Sequence, residues 1–490
     1  MTARQRTQGA RLSVWDSTIL LSGLALTLAV LLAVTLTRPE LSLYFLCFTV
    51  VTALLAIPLV IGCVTRRMDP FDPTTIIAAS YFLFFVYAPI RNLMAGQFYF
   101  FGELVMPLLP VGSLYLAFGI VGLWAGYYSS GIARRVAESA PSPPASHRGV
   151  VRYAWIIAII AIVCFNAYIH IAGLSWLKLL TLGQLGGVPG AIQTGVASVQ
   201  SDFSNYLYST LDWLTSALML FFAFSRSRRK WILAAFFGLL LIYTTIGFRY
   251  RVVILILAPV LYHYLKVNRR PDVVKVAAVA IALMLLIGAI GELRDSFRAG
   301  EPVDPTRISL SSSSESFAND LDLYQGYLAI VDAIPREHDY FWGSSLAYLL
   351  IQPIPRSLWP DKPAAPVATI VDVILGPDAV IAGIAYPNVG EFYANFGVVG
   401  LVIGMWLFGL LARVLYEYLG QHKENDWARI IYSLMFPFLL QVISRGYFVQ
   451  IFQEAAFLLF PILLGMRICR DPNRACSRVL VGSKALGEPK

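Results

Sequence analysis

The residues of this chain best suited to chemistry are arginines in short, otherwise apolar stretches. Arg249 and Arg251 stand in IGFRYR, Arg294 and Arg298 in GELRDSFRAG, Arg356 in PIPRSLWPDKP and Arg445 in SRGYF, with Arg91 after the third apolar run. A guanidinium is planar, permanently charged and donates paired hydrogen bonds to phosphate or carboxylate oxygens. Arg294 and Arg298 are four apart and share a face if the helix there continues. Arg249 and Arg251 sit in a tight turn between two apolar runs, where both can reach one pocket. A snorkelling interfacial side chain accounts equally well for any one of these arginines. Several of them converging from separate places point instead to an anion, and a lipid-linked phosphate or diphosphate fits. The arginines would bind it and stabilise it as a leaving group.

Carboxylates are fewer. Glu292, Asp295, Asp320, Asp322, Asp361 and Glu391 lie in or beside the same stretches. Glu391, in YPNVGEFYANFGVVG, shares a helical face with Asn395. A carboxylate at that helix entry can act as general base. Asn388 three residues earlier also makes a capping-box pattern, which needs no chemistry, and both accounts stay open. Gly397, Gly400 and Gly404 read as close helix packing, and Asp361 and Lys362 between prolines as a turn. The five cysteines show neither metal spacing nor a disulfide framework. The serines at 309–316 form no nucleophile elbow, and no Walker loop, GxGxxG or metal motif appears. No cofactor is expected.

The elements that must position these residues are membrane spans. The chain is 58% hydrophobic and only 14% charged over 490 residues, with mean hydropathy +0.67. Soluble domains carry about 25% charged residues. A span needs about 20 mostly apolar residues, and twelve runs are candidates: 15–36, 42–64, 73–90, 106–129, 153–172, 206–225, 231–247, 251–265, 274–292, 391–416, 428–443 and 447–466. The run at 251–265 is short, and a broken or re-entrant helix is an alternative there. With the N-terminus inside, about 26 of the 38 Lys and Arg fall on the cytoplasmic side and about 12 outside. That accounts for the +9 net charge without nucleic acid. Both termini are then cytoplasmic, and the first span is an uncleaved helix. The expected fold is an all-α polytopic integral membrane protein. Residues 1–292 form a bundle of nine helices, 293–390 a long external segment, 391–470 the last three spans and 471–490 a cytoplasmic tail. Within 293–390, Phe317, Leu321, Tyr324, Leu328 and Val331 recur at spacings of four and three. They predict an amphipathic helix over the bundle, with Asn319, Asp320, Asp322 and Gln325 off its apolar stripe.

IGFRYR, RDSFRAG, PIPRSLWPDKP, YPNVGEFYANFGVVG and SRGYF occur here in the order found in Wzy-type oligosaccharide repeat-unit polymerases, and the chain resembles that family, mainly over residues 240–450. The PR-x-x-WP-x-KP and GE-x-Y-x-NFG pieces, about thirty residues apart, are the specific ones. The family usually has G-S-R-G where this chain has Gly247-Phe248-Arg249-Tyr250, so the arginine is kept and its small neighbours are not. The resemblance implies a metal-independent, GT-C-like glycosyltransferase in the bacterial inner membrane. It implies a donor and acceptor carried on undecaprenyl diphosphate at the periplasmic face, membrane lipid around the protein, and a flippase and a chain-length-determining co-polymerase as partners. Arg356 and Glu391 would then be catalytic. Arg249, Arg251, Arg294, Arg298, Arg445, Asn395 and Trp359 would bind substrate. Most aromatics of the external segment fit an interfacial belt as well as a sugar-stacking surface.

Two other activities compete. An O-antigen ligase-like glycosyltransferase would use the same chemistry, although the His-centred motif of that group has no clear match. A lipid-linked oligosaccharide flippase would suit twelve spans. Transporters, however, typically carry internal repeats and mid-membrane ionisable residues, whereas the ionisable residues here gather at one face.

Overall fold

The computed structural model describes residues 14–65, 69–100, 103–139, 146–171, 206–225, 229–246, 249–268, 273–299, 321–352, 358–363 and 386–470, with a few isolated positions between them. The chain is all-α and polytopic. Among the described residues its only sheet is a two-stranded antiparallel ribbon, β1 (Tyr99–Phe100) and β2 (Glu103–Leu104), with Tyr99 opposite Leu104. The helices are α1 (Val14–Thr37), α2 (Ser42–Val64), α3 (Pro73–Met94), α4 (Leu109–Tyr128), α5 (Ser130–Ser139), α6 (His147–Ile171), α7 (Tyr206–Phe224), α8 (Arg229–Ile246), α9 (Arg249–Val267), α10 (Val273–Ala299), α11 (Tyr324–Arg336), α12 (Ser344–Ile351), α13 (Asn388–Gln421), α14 (Asp426–Ser444) and α15 (Phe448–Ile468).

Among the described residues ten helices are long and apolar enough to cross a membrane, not the twelve expected; the runs 231–247 and 274–292 correspond to shorter apolar helices, Lys230–Thr244 and Val274–Ala289. The short run at 251–265 is one continuous helix, α9, despite Pro259. The break comes in α13 instead. Phe396 and Gly397 leave helical geometry there, Gly397 at φ +64° and ψ −149°, a region that only glycine occupies readily.

The consequence is visible in contacts that a straight helix forbids. Eight residues of helix span about 12 Å, yet the Phe392 carbonyl lies 2.6 Å from where a Gly400 Cβ would be. The Phe392 ring fills the space a Gly404 side chain would need. Asn388 reaches the Met405 sulfur, and the Tyr81 hydroxyl contacts both. Residues 388–395 therefore fold back as a short arm along the rod that begins at Val398. Gly400 and Gly404 serve close packing as expected, and Gly397 is the turn.

The rod itself is held by α4. Gly122 and Gly126 of α4 face the Val402 and Trp406 carbonyls, and Gly409 faces the Leu123 carbonyl, with no room for a Cβ at any of the three. Small residues let the two backbones approach, as dispersion packing in lipid demands. One core joins α2, α3, α4, α11 and α13, and a second joins α6, α7, α9, α14 and α15.

The amphipathic helix is present as α11, and it is more deeply embedded than a one-sided stripe predicts. Tyr324, Tyr327, Leu328 and Ile330 are buried, and so is Gln325, which was expected on the polar side. The Tyr324 hydroxyl pairs with Ser113, and Tyr327 donates to the Gly112 carbonyl. Asp322 anchors the start of α11 to α3 through Arg91 (2.9 Å) and Asn92 (2.8 Å). Phe317, Asn319 and Asp320 lie outside the described residues.

Candidate functional site

The fold-back arm carries Glu391 into the protein. Its carboxylate is fully buried. Oε2 accepts a hydrogen bond from the Tyr386 hydroxyl at 2.9 Å. Oε1 is buried with no hydrogen-bond partner among the described residues, although the Ser345 side chain borders the group. Burial first, and then the neighbouring carboxylate, push the Tyr386 hydroxyl well above its ordinary range. Tyr386 therefore keeps its proton and donates it to the bond.

The capping pattern does not form. The N-cap of α13 is Pro387, with no side-chain cap bond. Asn388 spends its side chain on Tyr81 and Met405. Glu391 is thus a buried carboxylate without a capping role, and no ion pair reaches it among the described residues.

Asn395 lies one helical turn on. Its Nδ2 donates to the Glu391 carbonyl (2.8 Å) and to Ser345 Oγ (2.7 Å), and its Oδ1 accepts from the Gly343 amide (3.1 Å). The side chain expected to bind substrate thus stitches the arm to the start of α12. Gly343, at φ +84°, is the left-handed turn that begins α12, and the Phe341 and Trp342 amides donate to the Ala394 and Asn395 carbonyls.

The turn 445–447 between α14 and α15 closes the other side. The Gly446 amide donates to the Tyr386 carbonyl at 2.6 Å. Gly446 itself lies against the Pro387 carbonyl, where a Cβ has no space. This contact fixes Arg445, partly exposed, and Tyr447 beside the arm. The Tyr447 hydroxyl is buried with no hydrogen-bond partner among the described residues. Burial raises its pKa, and the Tyr348 and Glu391 side chains push the same way.

The WPDKP stretch folds as the expected turn, with the Lys362 amide bonded to the Trp359 carbonyl at 3.1 Å. Lys362 is buried. Its Nζ grips the Gln352 and Ile354 carbonyls (3.1 and 2.9 Å) at the end of α12 and lies over the Tyr348 ring. A cation is favourable at that helix end. Trp359 is 38% exposed, so its ring is accessible.

The sequence-selected residues therefore meet in part. Glu391, Asn395 and the Arg445 turn adjoin, with Trp359 in the turn whose Lys362 ties back to α12. Arg356 lies outside the described residues, as do the side chains of Arg249, Arg294 and Arg298, whose backbones are helical. Arg251 points inward rather than into an external pocket shared with Arg249. Its fork holds Asp212 (2.7 and 3.0 Å), and Nη1 also meets the Tyr208 hydroxyl. Arg91 is engaged by Asp322, whose carboxyl burial holds above its ordinary value despite Asn92 and Arg91.

Sequence reasoning missed three groups. Asp212 is invisible as Arg251's partner because 39 residues separate them. Glu454 is buried in α15 and accepts from Gln441 (3.3 Å) and Gln450 (2.8 Å). Its only local signal is Gln450 one turn before it. Tyr447 reads as one more interfacial aromatic until the chain is folded. Among the described residues no three His, Cys, Asp or Glu side chains gather to hold a metal.

No curated protein and no solved structure matches the chain. The profile of one family does, over residues 19–471, nearly its whole length. With an all-α multi-pass bundle, a buried carboxylate on a fold-back arm and an arginine-bearing turn packed against it, the chain belongs to the O-antigen polysaccharide polymerase Wzy family.

Proposed function

We propose that this chain joins oligosaccharide repeat units carried on undecaprenyl diphosphate, at the periplasmic face of the bacterial inner membrane and with both termini in the cytoplasm. Family membership carries the coarser statement, a membrane glycosyltransferase-like polymerase of lipid-linked repeat units. In the reaction, a hydroxyl of the acceptor unit attacks the anomeric carbon of the donor chain. The bond from that carbon to the diphosphate oxygen breaks, lipid diphosphate leaves with the electron pair, and Glu391 takes the hydroxyl proton. Arg356, with Arg249, Arg294, Arg298 and Arg445, neutralises the diphosphate in place of a divalent cation. Trp359 offers a stacking face to sugar. A flippase supplies units, and a chain-length-determining co-polymerase acts alongside.

The observation that best supports this reading is a pair of orphaned polar groups. Glu391 Oε1, an acceptor, and the Tyr447 hydroxyl are both buried without partners among the described residues, on elements held together by the Gly446–Tyr386 bond. Buried groups left unpaired are uncommon and call for an explanation. A sugar hydroxyl donates and accepts at once, so it would satisfy both.

The test is purified protein in liposomes with a lipid-linked repeat unit, in buffer containing EDTA. A ladder of longer lipid-linked products is expected. A single transfer to a different acceptor would favour ligase-like chemistry. Movement of the unit across the bilayer with no new bond would favour transport. Loss of the ladder with EDTA, restored by one metal, would end the metal-independent reading. Reporter fusions at residues 147, 315 and 484 should read inside, outside and inside.

A further inference from the structure

α12 belongs to the long segment that hydropathy assigns to the outside of the membrane, yet it presents an apolar face. Residues 341–352 (FWGSSLAYLLIQ) contain no charged side chain. Leu346 and Leu350 share one side of α12 and are 45% and 81% exposed, and Trp342 just before the helix is 69% exposed. Ser345 and Tyr348, on the other side, are buried. The exposed face continues the apolar surface of two spans. At its start, the Trp342 ring meets the exposed Phe396 ring edge to face at 6.1 Å. Phe396 heads the α13 rod, whose exposed Val399, Ile403, Leu407 and Leu411 recur every four residues. Further along, α12 packs on α15, where Phe452 and Phe460 are exposed.

Two contacts fix the depth of α12. The rod from Val398 to Gln421 is about 36 Å long at 1.5 Å per residue, against a hydrocarbon core of about 30 Å. Its head at Phe396 and Gly397 therefore stands near the membrane boundary. The start of α12 stands with it, since a Cβ on Gly343 would lie 3.0 Å from the Phe396 ring. α15 has 21 residues, about 31 Å of helix, and so just fills the core. Gln352, at the end of α12, donates to the Gln453 side chain at 3.4 Å. Gln453 is five residues, about 8 Å, in from Phe448 at the end of α15. α12 thus descends from the boundary to about 8 Å inside it, the depth at which amphipathic helices lie in a leaflet. Its ends suit such a place. Water satisfies the free carbonyls of a helix end, and hydrocarbon cannot. Here Lys362 Nζ takes the Gln352 and Ile354 carbonyls. At the start, the Gly343 and Ser344 amides donate to Asn395 Oδ1 and the Phe341 carbonyl.

We propose that α12 is embedded in the bilayer, in the leaflet at the 445–447 end of the bundle, with Leu346 and Leu350 among lipid acyl chains. Trp342 stands at the headgroup level, where an indole sets its ring against the chains and its N–H toward water. Placed in water, α12 would instead extend the apolar surface of two spans into solvent, where large contiguous apolar patches are rare. The buried side of α12 bears Ser345, which accepts from Asn395 at 2.7 Å. One helix, about 10 Å across, therefore separates the acyl chains from the arm that carries Glu391. A lipid-borne substrate then reaches the candidate site along α12 without leaving the bilayer, a consequence that rests on the proposed reaction while the embedding itself does not.

The test uses the full-length protein in liposomes, with its five cysteines replaced and a nitroxide attached in turn through Leu346→Cys, Leu350→Cys, Ile403→Cys and Asp361→Cys. Relaxation measurements compare collisions with oxygen, which dissolves in hydrocarbon, and with a water-soluble nickel chelate. The oxygen-to-nickel ratio at Leu346 and Leu350 should match that at Ile403 on the rod. It should exceed the ratio at Asp361, in the exposed turn, by about five-fold or more. A ratio at Leu350 as low as that at Asp361 would place α12 in water and overturn the proposal. Low access to both reagents would place a second copy of the chain on this face and overturn it too. The wild-type protein supplies a readout that needs no variant. With a phosphatidylethanolamine carrying a diazirine in its acyl chain, crosslinks in residues 342–352 should be as abundant as those in 399–411. Crosslinks in 399–411 with none in 342–352 would refute the embedding.

Discussion

Glu391→Gln separates chemistry from architecture at the candidate site. The carboxylate is buried, bonded to the Tyr386 hydroxyl through Oε2, and unpaired by any cation among the described residues. Glutamine keeps an oxygen for Tyr386 and removes a buried charge, so folding stability should hold or rise slightly. Glu391→Ala strands the Tyr386 hydroxyl and should cost about 1–3 kcal/mol. The rate should behave in the opposite way. A positioned general base contributes about 10²–10⁴-fold, equivalent to roughly 3–5 kcal/mol of barrier. Glutamine cannot accept the proton, so the full factor should be lost while the thermal midpoint stays at the wild-type value. The assay is ladder formation from a lipid-linked unit at matched protein levels, beside thermal unfolding in detergent. Ladder formation at the wild-type rate would refute the assignment. Because Asp322 is already held by Arg91 and Asn92, Asp320 and Glu292 would then be the next carboxylates to test.

Arg356→Lys should slow polymerisation about 30-fold or more, because a lost paired hydrogen bond to a buried charge costs about 2–5 kcal/mol; single-turnover rates on the same lipid-linked unit check it, and full activity removes Arg356 from the diphosphate clamp. Asp212→Asn leaves Arg251 buried with half its partner and should destabilise by about 3–5 kcal/mol, whereas Asp212→Leu with Arg251→Met should recover most of it; membrane insertion level and thermal midpoint read both. Gly397→Ala places a side chain at φ +64° and within 3.0 Å of the Tyr340 hydroxyl, so it should cost about 1–3 kcal/mol and lower the rate along with the midpoint.

Hydropathy made the spans legible, because a lipid-facing helix states its length and polarity in consecutive residues. α1, α2, α4 and α15 begin and end within a few residues of the apolar runs that predict them. The fold-back of α13 was not legible. Asn388–Gln421 reads as one apolar helix, and only Gly397 marks the break, in a stretch where other glycines serve packing. Asn388 with Glu391 matched a cap in spacing, but a cap also needs Asn388 at the N-cap with its side chain free. The structure places it one residue inside the helix and bonds it to Tyr81, which lies 307 residues away in the chain. The arginines illustrate the same limit. Residue type predicts affinity for an anion, and Arg251 found one in Asp212 rather than in a ligand. Local pattern fixes what a side chain can bind, while long-range pairing decides whether it is already taken.

The arm also behaves as a lever. From Gly397 to Glu391 is six residues, about 9 Å of helix, pivoted at one glycine and clamped at the far end by the Gly446 amide on Tyr386. A rotation of about 10° at the pivot would swing the carboxylate by roughly 1.5 Å, more than the misplacement of about 1 Å that can cost a hundredfold in rate. Any force that tilts α14 against α15, and so moves the 445–447 turn, pulls on the arm at Tyr386 and works against its contacts with the rod through Asn388 and Phe392. Chain transfer in this protein could be throttled mechanically, from the far ends of two helices, with every substrate contact left unchanged.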